Sequence, residues 1–141
     1  MAECEVPKIN ATSDEITRLL ASARTIAVVG ISRKPERPSH WIAGYLRDNG
    51  YRVIGVNPAL PELFGEKVYP SLSAVPEAVD LVDIFRRPEH VPPVVDEAIA
   101  KKVKAIWMQE GIVNNAAAEK ARAAGITVIM NKCIYKEHAA R

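Results

Sequence analysis

The sequence predicts a single α/β domain built on a doubly wound parallel sheet, with one helix ahead of the first strand. Short β-branched runs alternate with stretches of helical periodicity. The runs are apolar throughout, which is typical of strands buried on both faces. At 141 residues, of which 48% are hydrophobic and 26% charged, the chain is long enough for one core but not for two.

The first predicted element is a helix over about residues 13–23. Residues 12–15 have the pattern of a capping box, with a hydroxyl at Thr12 and a carboxylate at Glu15. Apolar residues follow at helical spacing. We expect residues 1–12 to be a loose N-terminal arm and residues 13–141 to form the single domain.

Five apolar runs then predict the strands of the sheet. They cover residues 26–30, 52–56, 81–85, 105–109 and 126–130. Helical patterns lie between them at about 39–49, 90–102 and 114–124. Asn49-Gly50 and Ala124-Gly125 are typical helix ends. A weaker strand is predicted at 67–69, and His138, in the C-terminal tail, is expected to be exposed.

This alternation of strands and helices predicts a parallel sheet with right-handed crossovers. Counted along the chain, with the 67–69 run as strand 3, the predicted order is the Rossmann-like 3-2-1-4-5-6. The weak strand then lies at one edge. A flavodoxin-like order is the alternative.

Positive charge gathers at the predicted carboxyl ends of the strands, where ligands of open α/β sheets bind. The cationic side chains there are Arg33, Lys34, Arg37, Arg86, Arg87 and Lys132. Only Glu36 and Glu110 oppose them, so this edge carries about +4 while the whole chain carries +2. The asymmetry predicts a multiply phosphorylated ligand. The small net charge argues against a nucleic-acid partner or a polybasic membrane anchor.

The loop after the first strand is the predicted phosphate site. Gly30 is followed by Ile31 and Ser32 at the turn into a helix N-terminus, where open N–H groups favour an anion. The alternatives are a glycine that serves only the turn and a serine that serves only as a cap. The loop is neither G-x-G-x-x-G nor a Walker A motif, and the second strand ends in Asn57-Pro58 without the acid that binds the NAD ribose. NAD is therefore disfavoured, while an NADP-dependent reductase stays open.

Other candidate residues follow the later strands. Arg86 and Arg87 have the chemistry of a bidentate phosphate clamp, and Phe85 either contacts a base or belongs to the core. Asn131 either caps the chain or contacts ligand. Cys133 beside Lys132 is either a reactive thiol or, as we favour, a buried inert one. No catalytic triad, carboxylate pair or metal-binding set stands out.

The sequence resembles the small stand-alone CoA-binding proteins over about residues 13–138. The matching segments are 26–30 with Ser32, 34–37, 50–51, 56–58, Gln109-x-Gly111 and Asn131-x-Cys133. The same segments are similar to the N-terminal CoA-binding domain of the succinyl-CoA synthetase α subunit. The catalytic phosphohistidine of those synthetases lies in a second domain that has no counterpart in these 141 residues, so ligase activity is not carried over.

The resemblance implies a protein that binds coenzyme A or an acyl-CoA, with no catalysis of its own expected. Gly30 and Ser32 would hold the diphosphate, and Lys34 and Arg37 would face phosphates, including the 3′-phosphate. The remaining implied contacts are Asn57, Pro58, Phe85 and Arg86 along the nucleotide, and Gln109, Asn131, Lys132 and Cys133 toward the pantetheine arm. A mixed disulfide between Cys133 and CoA is a further hypothesis.

The remaining features of the sequence concern the location of the protein, metal binding and protein partners. No apolar run approaches the roughly 20 residues of a membrane span, and the N-terminus lacks the pattern of a signal peptide. Two cysteines and three separated histidines predict neither a disulfide framework nor a zinc site. We therefore expect a cytoplasmic protein without a metal. A homodimer or another protein partner remains open.

Overall fold

A computed structural model describes residues 5–141 of the chain, in which helices and strands alternate. The helices are α1 (Ser13–Ser22), α2 (Pro38–Asp48), α3 (Val91–Lys101), α4 (Asn115–Ala123) and α5 (Ile134–Ala139). The strands are β1 (Thr25–Val29), β2 (Arg52–Val56), β3 (Glu62–Leu63), β4 (Glu66–Lys67), β5 (Leu81–Ile84), β6 (Ala105–Met108) and β7 (Thr127–Ile129).

Five of these strands form one parallel sheet in the order β2-β1-β5-β6-β7. This confirms the predicted α/β class and the relative order of the five main strands. The chain leaves β1 toward β2 on one side and later returns to β5 on the other. The edge between the ends of β1 and β5 is therefore the topological switch point, where a crevice opens.

The prediction that residues 67–69 form a sixth strand at the edge of the sheet is wrong. Lys67 instead pairs with Glu62 in a small antiparallel hairpin of β3 and β4, and Tyr69 makes only a single parallel bridge to Val56. The residues before Tyr69 are engaged in the hairpin, where Val68 N–H donates to the Pro61 carbonyl oxygen at 3.0 Å, so only Tyr69 bonds to β2.

Both faces of the sheet are covered, which explains the uniformly apolar strands. Alternate strand residues such as Val28 and Trp107 pack with α1, α2 and α5, while Val29 and Ile106 pack with α3 and α4. Asp83 of β5 is the exception, a carboxyl with no exposed surface in the middle of the sheet.

The strong capping signal in the sequence predicts the start of α1 correctly. The capping box is present: the Thr12 hydroxyl accepts from Glu15 N–H at 3.2 Å, and Glu15 Oε1 accepts from Thr12 N–H at 3.0 Å.

The segment before α1 is attached to the end of β7. Asn10 exchanges two hydrogen bonds with the backbone of Met130, at 2.8 and 2.9 Å. Residues of the N-terminal segment therefore run against the end of β7.

The short helix α5 was not predicted. It contains only six residues, and its contacts come from distant parts of the chain. His138, expected to be exposed in a tail, is half-buried, with its Nδ1 2.6 Å from the Tyr45 hydroxyl of α2. Arg141 extends the attachment by donating to Thr17 Oγ1 of α1 at 2.7 Å.

Candidate ligand-binding cleft

A cleft of about 820 Å³ opens at the carboxyl edge of the sheet, at the switch point between β1 and β5. Its lining comes from four segments that follow β1, β5, β6 and β7. The predicted site residues that line it are Gly30, Ser32, Lys34, Arg37, Phe85, Arg86, Arg87, Gln109 and Cys133. Its size is that of a small-molecule or cofactor site.

Gly30 stands where the loop after β1 crosses the end of β5. Its φ is +93°, and a Cβ at this position would lie 2.4 Å from the carbonyl oxygen of Phe85. Its N–H donates to Val56 O of β2 at 2.9 Å, so the turn is held against strands on both sides. Only glycine combines this φ with such a close backbone approach. The structure therefore supplies a packing reason for Gly30.

The loop between Gly30 and α2 is braced from within. His40 Nδ1 donates to the Ser32 carbonyl oxygen at 2.8 Å, and Lys34 N–H donates to Ser32 Oγ at 3.1 Å. No side chain caps the start of α2, where Arg37 is the N-cap and Pro38 the first residue. Pro38 has no N–H, and the N–H groups of His40 and Trp41 donate to the Arg37 carbonyl oxygen at 2.9 and 3.2 Å. Among the described residues the N–H of Ser39, which lines the cleft, is the first-turn donor without a partner, and together with the helix dipole it favours an anion.

Four cations of the cleft, Lys34, Arg37, Arg86 and Arg87, take part in no ion pair among residues 5–141. They follow β1 and β5, next to the switch point. Glu110, the carboxylate of the lining, instead pairs with Lys136 at 3.0 Å, and this hydrogen bond raises the pKa of the lysine. The charge of the cleft is thus concentrated on its β1–β5 side.

Five predicted site residues do not line the cleft. Ile31 is 1% exposed and lies in the core beneath the loop. Asn57 Nδ2 donates to the Ile31 carbonyl oxygen at 2.7 Å, and Asn57 and Pro58 line a separate hollow of about 240 Å³. These contacts brace the loop after β1 from the β2 side.

The other two of the five, Asn131 and Lys132, lie between β7 and α5. Asn131 has φ +58° and accepts from Gly111 N–H at 2.8 Å, which ties the loop after β6 to the loop after β7. The Lys132 carbonyl oxygen accepts from Trp107 Nε1 at 2.8 Å. Both residues therefore shape the backbone behind the cleft.

Two aromatic residues of the lining were missed. Trp41 is 42% exposed, and its ring lies edge-to-face with that of Tyr135, with ring centres 5.2 Å apart. Trp41 follows Arg37 by one helical turn, a spacing that places both on one face of α2. That spacing was the available signal for Trp41, whereas Tyr135 depended on the unpredicted α5.

Gln109 and Cys133 lie together on the β6–β7 side of the cleft. Gln109 is 5% exposed and Cys133, a free cysteine, is 7% exposed. Gln109 Oε1 accepts from the N–H of Ile134 at 3.2 Å. The amide therefore has a fixed orientation, with its oxygen committed to the start of α5.

Asp83 is a buried acid outside the cleft lining. Neither carboxylate oxygen has a hydrogen-bond partner within the described part of the chain. Burial raises the pKa of Asp83 well above its ordinary value, because the charged form loses its hydration. The neutral carboxylic acid is the form this core accommodates.

No group of three or more metal-ligating side chains occurs between residues 5 and 141. No helix within the same residues is long and apolar enough to cross a membrane.

Comparisons with known proteins agree on one family. The model of the CoA binding domain family matches residues 24–139. The chain is 38% identical over 130 residues to the uncharacterized protein YneT of Bacillus subtilis, covering 92% of this chain and 96% of that one. A hypothetical protein from Pyrococcus horikoshii has a solved structure with TM-score 0.90 and 36% identity, covering 99% of this chain and 98% of its own.

One relative is a much longer protein that is similar to part of this chain. Acetate–CoA ligase [ADP-forming] II of Archaeoglobus fulgidus is 32% identical over 83 residues, which are 57% of this chain and 12% of that protein.

Proposed function

We propose, because this chain belongs to the CoA binding domain family, that it binds coenzyme A or an acyl-CoA in the cleft at the carboxyl edge of its sheet. The observation that carries the proposal is the group of four cations without an ion-pair partner in residues 5–141. The 3′-phosphate and 5′-diphosphate of CoA together carry about four negative charges near neutral pH. The charge of the site therefore matches that of the ligand.

In this proposal the diphosphate lies over the loop from Gly30 to Ser32 and the start of α2. Lys34 and Arg37 reach the phosphates from α2 and the loop before it, and Arg86 and Arg87 reach them from the end of β5. Guanidinium groups suit this role because their paired N–H donors match two phosphate oxygens.

The rest of the ligand extends along the strand ends. Phe85 faces the nucleotide from the end of β5, and Asn57 and Pro58 lie on the outer side of the loop after β1. Gln109 and Cys133 face the pantetheine arm, with Asn131 and Lys132 supporting them from behind. Glu110 is engaged with Lys136, and His40 with Ser32, so neither acid nor histidine is poised for proton transfer. We therefore propose binding without a reaction of its own.

Calorimetric titration with CoA and with dephospho-CoA tests the proposal, on protein whose denatured extract contains no CoA by mass spectrometry. We expect saturable binding of CoA and weaker binding of dephospho-CoA, because the latter lacks the 3′-phosphate. Failure of both ligands to bind, or saturable binding of NADP alone, would contradict the proposal.

Adjacent cations supply a matched pair of variants. Lys34 lines the cleft, whereas Arg33 beside it does not. Lys34→Ala removes a charge-assisted contact and should weaken CoA binding by about ten-fold or more. Arg33→Ala removes the same charge from the same loop and should change the affinity by no more than about two-fold, since exposed charges away from a site contribute little. Equal effects of the two variants would place the phosphates elsewhere.

The two other hypotheses raised by the sequence were an NADP-dependent reductase and a mixed disulfide between Cys133 and CoA. They gain no support from the relatives and are not part of the proposal.

A further inference from the structure

Gln109 offers the cleft a hydrogen-bond donor whose direction is already determined. The amide is 5% exposed, and its Oε1 is committed to the N–H of Ile134 at 3.2 Å. The end of the amide left for the cleft is therefore Nε2. This nitrogen donates to no group among residues 5–141, although Gln109 lines the cleft. Nε2 is not among the fully buried polar atoms that lack a partner, so it is reached from the cleft, where the acceptor atom of a ligand can replace water.

Its position along the strand ends indicates which part of the ligand it meets. The unpaired cations follow β1 and β5, whereas Gln109 follows β6, the next strand of the sheet. The cleft lining after β6 and β7 carries one acid and one lysine, Glu110 and Lys136, which are paired with each other. Phosphates are thus favoured on one side of the cleft and an uncharged part of the ligand on the other.

The surroundings of Nε2 distinguish two kinds of carbonyl. An amide of the pantetheine arm has a carbonyl oxygen and also an N–H that needs an acceptor. On the same β6–β7 side the lining also contains Cys133, Ile112 and Tyr135, of which only Tyr135, through its hydroxyl, is a strong hydrogen-bond acceptor. A donor in such a setting fits a carbonyl that has no N–H of its own, as in a thioester.

We propose, on the basis of the CoA site proposed above, that Gln109 Nε2 donates to the thioester carbonyl oxygen of an acyl-CoA. The cleft then selects an acylated CoA over one whose sulfur carries no carbonyl. Trp41 and Tyr135, in edge-to-face contact, supply an aromatic wall for the acyl group. Gln109 is thereby a specificity-determining residue.

Two ligands of nearly equal size test this on the unmodified protein. Acetyl-CoA and the thioether S-ethyl-CoA have the same number of carbon atoms on sulfur, but only the former has a carbonyl oxygen. Every contact to the nucleotide and pantetheine is common to both and cancels in the ratio of their dissociation constants. We expect acetyl-CoA to bind about five- to ten-fold more tightly, the effect of one hydrogen bond to a buried donor.

Gln109→Glu assigns the preference to this residue. The glutamate keeps an oxygen for Ile134 N–H and, once ionised, has an acceptor in place of the Nε2 donor. A protonated glutamate would still donate, so the titrations are run from neutral to alkaline pH, and the preference for acetyl-CoA should disappear at the alkaline end. Asn114→Asp is the matched control. It adds the same charge to the loop after β6 and keeps the oxygen that accepts from Ala117 N–H. It also loses an amide donor, the one from Nδ2 to the Pro88 carbonyl oxygen at 3.1 Å, but Pro88 lies on the phosphate side of the cleft, so any effect there is common to both ligands and cancels in their ratio. The control should retain the preference.

The outcomes separate the two proposals. If CoA binds but acetyl-CoA and S-ethyl-CoA bind equally, the role of Gln109 is refuted and the CoA site stands. If the preference persists in a folded Gln109→Glu protein at alkaline pH, the carbonyl is recognised by another group and the role is again refuted. If none of the CoA compounds binds, the CoA site itself fails and this inference fails with it.

Discussion

Replacing Gly30 with alanine tests the close approach between the loop after β1 and the end of β5. The added Cβ would lie 2.4 Å from the carbonyl oxygen and 3.1 Å from the carbonyl carbon of Phe85. That backbone is not free to move, because Phe85 N–H donates to Val29 O at 2.9 Å and continues the pairing of β5 with β1. The strain therefore has to be absorbed in the centre of the sheet.

The expected loss has two parts. An L-residue at the φ of +93° costs about 1–2 kcal/mol. Overlap within a well-packed interior adds about 1–3 kcal/mol. Gly125→Ala isolates the first part, since Gly125 has φ +84° and nothing within 4 Å of an added Cβ. We expect the free energy of unfolding to fall by about 2–5 kcal/mol for Gly30→Ala and about 1–2 kcal/mol for Gly125→Ala.

Urea and thermal unfolding of the two variants without ligand measure the difference. For a domain of this size each kcal/mol corresponds to about 3–5 °C in Tm. Losses that agree within about 0.5 kcal/mol would refute the reasoning, because they would show that the contact with Phe85 relaxes without cost.

Three further predictions concern stability. Asp83→Val removes an unpaired buried carboxyl and should raise the free energy of unfolding at pH 7 by about 1–3 kcal/mol. Because burial raises the Asp83 pKa above 3.8, the native protein loses stability as pH rises from about 4 through the folded-state pKa. Urea unfolding at several pH values should therefore find that the excess stability of Asp83→Val over the native protein grows from pH 4 to 8. A difference in unfolding free energy that stays constant with pH would contradict this. Thr12→Ala breaks the capping box and should cost about 1 kcal/mol in chemical unfolding, whereas no loss would mean that α1 is held by packing alone. Arg141→Ala releases α5 from α1, so the α5 amides should exchange hydrogen about five-fold faster while those of β5 are unchanged; equal acceleration in both would indicate global destabilisation instead.

Elements governed by local patterns were predictable. The apolar run at 26–30 becomes β1 because a strand covered on both faces needs no polar residue, and the capping box at Thr12 forms from atoms three residues apart. The edge strand at 67–69 was not predictable in this way, because Lys67 and Val68 pair with Glu62 and Pro61 in a hairpin and leave only Tyr69 to bridge to β2. The sequence did not predict α5, because a helix of six residues is not stable on its own and depends on tertiary contacts. Its attachments to Tyr45 and Thr17 come from α2 and α1.

For the cleft, the sequence alone determined which residues follow each strand and hence which share one edge of the sheet. Parallel strands end at the same edge, so the collection of Gly30, Lys34, Arg86 and Gln109 there follows from the strand pattern. Only the tertiary structure decided which cations lack an ion-pair partner in residues 5–141, and that Gln109 commits its Oε1 to a backbone N–H beside the cleft. Those outcomes depend on groups distant in sequence, such as the N–H of Ile134, which meet the site only when the sheet and its helices have assembled.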